Sequence, residues 1–422
     1  MQHLDTQLLH ADAAFATDSA ITPPITYTAT FRAKDADEFA QMASQAQHSR
    51  YYTRYGNPLH ERVAHILAEL EGAESGLCFA SGMGGIAASI LSQVKAGDHV
   101  VTQANHYMAT SKLITELLPK FGVESTIVDQ TDVNAFARAV RPNTRLIHIE
   151  TPANPTMALT DIAAVCSLAK SNNRGITVSC DNTFASPVNQ QPIALGVDIV
   201  MHSATKWIGG HHDLTAGVVV SSKERCEKIW NTAITLGATL SPMDAWLLLR
   251  GLRTLGIRVR QQNATAMQIA QYLERHPGIE KVFYPGLPSH PQHALAKQQM
   301  RGFGGVMAIW VKGGYAHTAN FVASLKLFAH AVSLGGVESL AVHAAAMWAG
   351  TMNDEQMKQA NVQPNAVRLS IGLEAAEDLC ADLDLALPPR HNRCRLLRTQ
   401  EHGGGDEGIN WHVSDNHSRI GQ

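Results

Sequence analysis

Residues 197–213, "VDIVMHSATKWIGGHHD", pass from a short apolar run rich in β-branched residues to hydroxyls clustered around one lysine, Lys206, just before a glycine pair. Such a run reads as a strand buried on both faces. Working outward, similar runs recur as "GLCFA" (76–80), "HVVTQ" (99–103), "RLIHIE" (145–150), "ITVSCD" (176–181) and "GVVVS" (217–221). Helical patterns separate several of them. In "ERVAHILAELEG" (61–72) Val63, Ile66, Leu67 and Leu70 follow helical spacing and Gly72 can end the helix, and "TDIAAVCSLAKSN" (160–172) is a second case. The alternation predicts an α/β fold whose mainly parallel sheet is flanked by helices.

Ligands of such sheets sit beyond the carboxyl ends of the strands, and that is where the polar residues of interest fall. Ser81, Gly82 and Met83 follow "GLCFA"; Asn154 lies shortly after "RLIHIE"; Asp181 and Thr183 end "ITVSCD"; Ser203, Thr205 and Lys206 follow "VDIVMH". These strand ends are expected to converge on one crevice. Further along, residues 245–276 read as one long helical region, and "YPGLPSHPQH" (284–293) is a loop rich in breakers. A smaller C-terminal α/β segment follows. The expected division is 1–59, 60–255, 256–388 and a flexible tail over 389–422, which includes "EHGGGDEG".

Composition narrows the function classes. The 422 residues are 45% hydrophobic and 17% charged, proportions of a folded, soluble chain. The net charge of −3 carries no long run of one sign, so nucleic acid is not expected as a partner. Six cysteines without C-x-x-C pairing indicate neither a disulfide framework nor a structural zinc site; a reducing cytoplasm is the expected location. The first twenty residues lack the basic start and apolar run of a signal peptide, and no stretch of about 18 apolar residues suggests a membrane span. His202, His211 and His212 lack an H-E-x-x-H or comparable spacing, so no metal is expected.

The clustered hydroxyls and the "SGMGG" helix start suit a phosphate, which needs converging donors. Neither G-x-G-x-x-G nor the P-loop pattern is matched. Pyridoxal phosphate requires a lysine for its Schiff base, an acid facing the pyridine nitrogen and an anion pocket. Lys206, Asp181 and the two phosphate elements supply these. Each alone has an ordinary structural reading, as an exposed lysine, a helix cap or a tight turn; the combination is far more specific.

In order along the chain, "YTRYGNP", "ASGMGGI", "ETPANPT", "DNTFASP", "HSATKWIGGHHD", "YPGLPSHPQH", "SLGGVESL" and "VRLSIGLE" resemble the signature segments of the Cys/Met-metabolism family of pyridoxal-phosphate enzymes. The resemblance spans roughly residues 5–388. It implies an aspartate-aminotransferase-like, fold type I architecture and a homotetramer built as a dimer of dimers with shared active sites, residues 1–59 contacting a neighbouring subunit. It further implies Lys206 as the Schiff-base lysine and Asp181, with Thr183 beside it, as the partner of the pyridine nitrogen. Gly82, Met83, Ser203 and Thr205 resemble the phosphate site of one subunit, and Tyr52 and Arg54 the pair that reaches the same phosphate across the dimer. Tyr107 matches the tyrosine that stacks on the cofactor and assists proton transfer. Arg368 matches the grip on the substrate carboxylate, with Asn154 and Ser333 nearby.

The resemblance leaves the reaction between two close options. Glu338 is similar to the acidic residue of γ-active branches, which favours a γ-lyase acting on a small-molecule γ-substituted L-amino acid such as methionine, cystathionine or a homoserine derivative. "GHHDLTAGVVV" is close to the methionine γ-lyase form, yet Ala109 replaces the reactive cysteine of those enzymes. Trp348 and Ala349 replace a Thr-His pair common among relatives, which makes an oxygen-linked γ-substituent such as that of canavanine a candidate. The alternative is a γ-replacement transferase of the cystathionine γ-synthase or homoserine-ester sulfhydrylase type. A noncatalytic scaffold is expected to lack Lys206, Arg368 or Tyr107, and all are present.

Overall fold

The computed structural model of the chain describes residues 3–16, 19–172, 175–348 and 363–387. Two sheets form within a unit ending at residue 388. The first contains β1 (Ser75–Phe79), β2 (His99–Gln103), β3 (Glu124–Val128), β4 (Thr144–Glu150), β5 (Thr177–Asp181), β6 (Ile199–Ser203) and β7 (Gly217–Ser221). Their order is β1-β7-β6-β5-β4-β2-β3. From β6 through β3 the strands pair in parallel, and β7 alone runs against both its neighbours. The mainly parallel sheet expected from sequence is therefore present.

Strands β2, β5 and β7 are buried along their whole length, which is why they read as unbroken runs: helices cover both faces. Strand β3 escaped the sequence reading. It pairs only with β2 at the sheet edge, and Ile127 is 52% exposed there, so solvent replaces the apolar neighbours that would have made a recognisable run.

The helix Pro58–Glu71 has Asn57 as its N-cap and ends at Gly72, whose φ of 74° lies in the left-handed region glycine adopts without strain. Asp161 caps Ile162–Ser171 by accepting from the Ala164 amide. One expectation is corrected: the helical region over 245–276 is two helices, Pro242–Leu252 and Leu255–Glu274. The break is stabilised by Arg258, whose guanidinium donates to the carbonyls of Gly251 at 2.8 Å and Trp207 at 2.7 Å. The Gly251 carbonyl, which also accepts from the Thr254 amide, thus gains a buried charged donor, and the same guanidinium ties the break to the segment after β6 at Trp207. The expected boundary at 255/256 falls at the start of the second helix.

Strands β8 (Ile279–Phe283), β9 (Val306–Val311), β10 (Ala329–His330), β11 (Leu340–His343) and β12 (Ala366–Ser370) form the second sheet, in the order β10-β11-β12-β9-β8. All its pairs are antiparallel except β10 with β11. Near the N-terminus, residues 3–16 dock on their own chain: Leu8 is buried, and the buried Asp12 carboxylate pairs with Arg62 at 3.0 Å and Arg253 at 2.9 Å. Residues 20–56 carry exposed apolar side chains, among them Ile21, Ile25 and Tyr27. No helix among the described residues is long and apolar enough to cross a membrane. Ala349 and the tail over 389–422 lie outside the described residues, as does the side chain of Trp348.

Candidate active site

Adjacent strand ends carry the first groups. In the parallel register Glu150 of β4 stands opposite Asp181 of β5, and Asp181 opposite Met201 of β6. Asp181 is buried and its Oδ1 accepts from the Thr183 amide at 2.9 Å. The Thr183 hydroxyl accepts from the Ser203 amide at 2.7 Å, joining the ends of β5 and β6. Burial raises the pKa of Asp181, although hydrogen bonds from Thr183 and the charges of His202 and Lys206 oppose the rise.

Ser203 packs against the start of the helix Gly82–Leu91. A β-carbon added at Gly82 would stand 2.8 Å from Ser203 Cβ and 2.9 Å from its Oγ, so only glycine lets the helix approach this strand end. Ser81 caps the helix by accepting from the Gly84 amide at 3.1 Å. Gly82 and Met83 occupy the first turn, whose amides have no partner within the helix. The Met83 sulfur also lies 3.7 Å from the Thr110 hydroxyl. Thr205 is turned toward its own chain: its hydroxyl donates to the Ala216 carbonyl and accepts from the Ala216 amide.

Lys206 reaches the connection between β10 and β11 of the second sheet. Its Nζ donates to Ser333 Oγ at 2.8 Å. Burial and the charge of Arg368 lower its pKa to about 8, against the pull of Asp181. Only the neutral amine attacks a carbonyl, so the lower pKa makes Lys206 nucleophilic above about 8. Below that value, capture of an aldehyde by the apoprotein is expected to quicken about tenfold per pH unit and then level off. Stopped-flow absorbance against pH checks this; a midpoint at the ordinary lysine value would contradict it.

Arg368, on the inner strand β12, is buried. Its Nη1 donates to Asn154 Oδ1 at 3.1 Å and its Nη2 to the Ser333 carbonyl at 2.9 Å, while Nε is buried without a partner among the described residues. Burial pushes its pKa down to about 10. Ser333 has a φ of 97°, a strained position for a residue with a side chain. That backbone turn presents its hydroxyl to Lys206 and its carbonyl to Arg368.

Tyr107 precedes the helix Met108–Lys112 and is 48% exposed. Glu338 is exposed, with His212 Nε2 3.9 Å from its Oε2. The neighbouring histidines diverge: His202 contacts Glu71 at 2.7 Å and His211 contacts the Gly209 carbonyl at 2.8 Å. Tyr52 and Arg54 stand apart. The Arg54 guanidinium lies 5.3 Å from the Tyr52 ring, and the two line a separate hollow with Tyr27 and Thr239.

Two groups were missed from sequence. Glu150, buried at the end of β4, accepts from the Tyr107 amide at 2.7 Å and the Asn154 amide at 3.3 Å. Gln103 at the end of β2 holds the Glu150 backbone from both sides, accepting from its amide at 3.0 Å and donating to its carbonyl at 2.8 Å. The available signal was a charged residue closing the apolar run "RLIHIE".

These residues fit pyridoxal phosphate. Asp181 is a buried carboxylate that burial disfavours as an anion, and a protonated ring nitrogen would supply the missing positive charge. The open helix start beside Ser203 offers amides to a phosphate. The unpartnered Arg368 Nε marks unused donor capacity beside the nucleophilic Lys206.

Comparison with known proteins agrees. Residues 5–388 match the family model described as Cys/Met metabolism PLP-dependent enzyme. The chain is 42% identical over 376 residues to the L-methionine gamma-lyase of Pseudomonas deceptionensis, covering 89% of this chain and 94% of that one. It is 41% identical over 369 residues to the chloroplastic cystathionine gamma-synthase 1 of Arabidopsis thaliana, covering 87% of this chain and 65% of that one. The crystal structure of metB from Corynebacterium glutamicum superposes with a TM-score of 0.84 at 37% identity, covering 92% of this chain and 98% of that one. The lysine, the opposed carboxylate, the glycine-opened helix and these matches lead to one conclusion: the chain belongs to the Cys/Met metabolism PLP-dependent enzymes, a fold type I enzyme with pyridoxal phosphate as its cofactor.

Proposed function

We propose that the enzyme carries out γ-elimination on a γ-substituted L-amino acid, such as methionine, cystathionine or a homoserine derivative. The observation that carries this reading is the link from Lys206 through Ser333 to Arg368. It sets an amine that can take a proton beside a guanidinium that can hold a carboxylate. When bound, the cofactor supplies an aldehyde that joins amino groups and a ring that accepts electrons from the α-carbon.

In this reading Arg368 and Asn154 hold the substrate carboxylate and fix which Cα bond faces Lys206. Lys206 takes the Cα proton; a Cβ proton follows as the γ-substituent departs with its bonding electrons. The departing group takes the proton released by the amino group, the protons taken from Cα and Cβ return to Cγ and Cβ, and water displaces nitrogen, giving a 2-oxo acid and ammonia. Asp181, steadied by Thr183, would face the ring nitrogen, and Tyr107 would cover the ring. Gly82, Met83, Ser203 and Thr205 would hold the phosphate. The Thr205 hydroxyl must release the Ala216 carbonyl to donate there. Glu338 stands at the γ-substituent side.

Tyr52 and Arg54 would complete the phosphate site of a second copy, which accounts for their separation from Lys206 and for the exposed apolar side chains of residues 20–56. A homotetramer of two such dimers, the domain division at 60, 256 and 389, and a cytoplasmic location complete the proposal.

The second reading, γ-replacement, is favoured by the likeness to cystathionine γ-synthase. The test is release of ammonia and 2-oxo acid from methionine, cystathionine, an O-acylhomoserine and canavanine, each with and without a thiol acceptor. Stoichiometric ammonia without acceptor is expected. Thiol-dependent amino-acid product with only trace ammonia would overturn elimination in favour of transfer.

A further inference from the structure

We infer that Glu150 is the positioning residue that couples the cofactor-covering side of the site to the substrate-carboxylate side. Its two carboxylate oxygens are divided between them. Oε2 accepts from the amide of Tyr107, and Oε1 accepts from the amide of Asn154, whose side chain in turn accepts from Arg368. One buried acid therefore fixes the backbone of the residue over the ring and of the residue that orients the guanidinium.

The acid is itself built into place. The Gln103 side chain binds the Glu150 backbone through both its oxygen and its nitrogen, and the Thr160 hydroxyl donates to the same Gln103 oxygen at 3.1 Å. Glu150 also stands in register with Asp181, so two buried carboxyls occupy neighbouring strand ends. Burial and the charge of Asp181 raise the pKa of Glu150 well above the usual range; the two amides and Arg368 oppose them. A carboxyl kept in so costly a place, with each of its two oxygens accepting from a backbone amide, has a role that a side chain with a single acceptor oxygen cannot fill.

Substitution Glu150→Gln tests this. The amide keeps the shape, but its NH2 must face the N–H of Tyr107 or of Asn154, so one anchor becomes a donor facing a donor. The inference rests on Arg368 and Asn154 holding the substrate carboxylate, so the readouts separate the two ideas. Binding of L-norvaline, an amino acid without a γ-leaving group, is measured by calorimetry on the holoenzyme, and cofactor orientation by visible circular dichroism without any amino acid. E150Q is expected to weaken norvaline binding about tenfold and to reduce the visible dichroism by about half.

The coupling is read from a double-mutant cycle with Arg368→Lys. The two effects on norvaline binding should fall short of additive, because Glu150 acts through Asn154 and Arg368. A merely structural role would lower the melting temperature while leaving the dichroism unchanged and the cycle additive, and that result overturns the inference. If R368K itself leaves norvaline binding unchanged, the carboxylate-holding reading fails instead, and Glu150 as the coupling residue with it. Should E150Q not fold, Glu150→Asp keeps the carboxyl one methylene short of the Tyr107 amide. It is expected to give the same two losses, and wild-type values in it would overturn the proposal.

Discussion

Replacing Lys206 with alanine is expected to lower turnover about 10³-fold, within the range a positioned general base contributes and equivalent to ~4 kcal/mol of barrier. The expectation follows from the way the amine is held. Its hydrogen bond to Ser333 holds the nitrogen beside the Ser333–Arg368 pair, and burial with Arg368 nearby lowers its pKa to about 8, so near neutrality a useful fraction is free to accept a proton. A lysine at its ordinary pKa would be almost wholly protonated there. Removing a partly desolvated amine should leave the melting temperature close to that of the native enzyme, which distinguishes lost chemistry from lost fold. Partial rescue by added methylamine would fix the missing function as an amine. Activity in K206A within about tenfold of the native rate would remove Lys206 from the reaction.

Replacing Arg368 with alanine is expected to raise KM for the amino acid about 10²-fold, since hydrogen bonds to charged groups are each worth roughly 1.5–3 kcal/mol. Two of its nitrogens are spent on Asn154 and Ser333, and the unpartnered Nε lies in the same buried plane. The neighbours orient the guanidinium before a substrate arrives, so little side-chain freedom is lost on binding. Lysine should not substitute for it. A point-charge ammonium cannot reach Asn154, the Ser333 carbonyl and a carboxylate together in one plane. Steady-state kinetics on R368A and R368K check this. A KM within about threefold of native in both would place the carboxylate grip elsewhere.

Much of this architecture was legible in the chain. Strands β2, β5 and β7 could be read because helices bury both their faces, which forces continuous apolar runs. Lys206, Asp181 and Ser203 could be read because each directly follows or ends such a run, and parallel strands deliver their carboxyl ends to one edge. Edge strand β3 and the break at residues 253–254 were not legible: solvent covers one, and Arg258, held by packing, stabilises the other.

The sequence by itself determined the fold class, the cofactor chemistry and the identity of the residues at the strand ends, because burial pattern and residue type are local properties. Only the tertiary structure decided which of those residues act together. That Ser333 adopts a left-handed turn between Lys206 and Arg368, and that Glu150 divides its oxygens between Tyr107 and Asn154, are contacts across stretches far apart in the chain. Such contacts depend on how two sheets meet, and spacing along a single chain carries no measure of that distance.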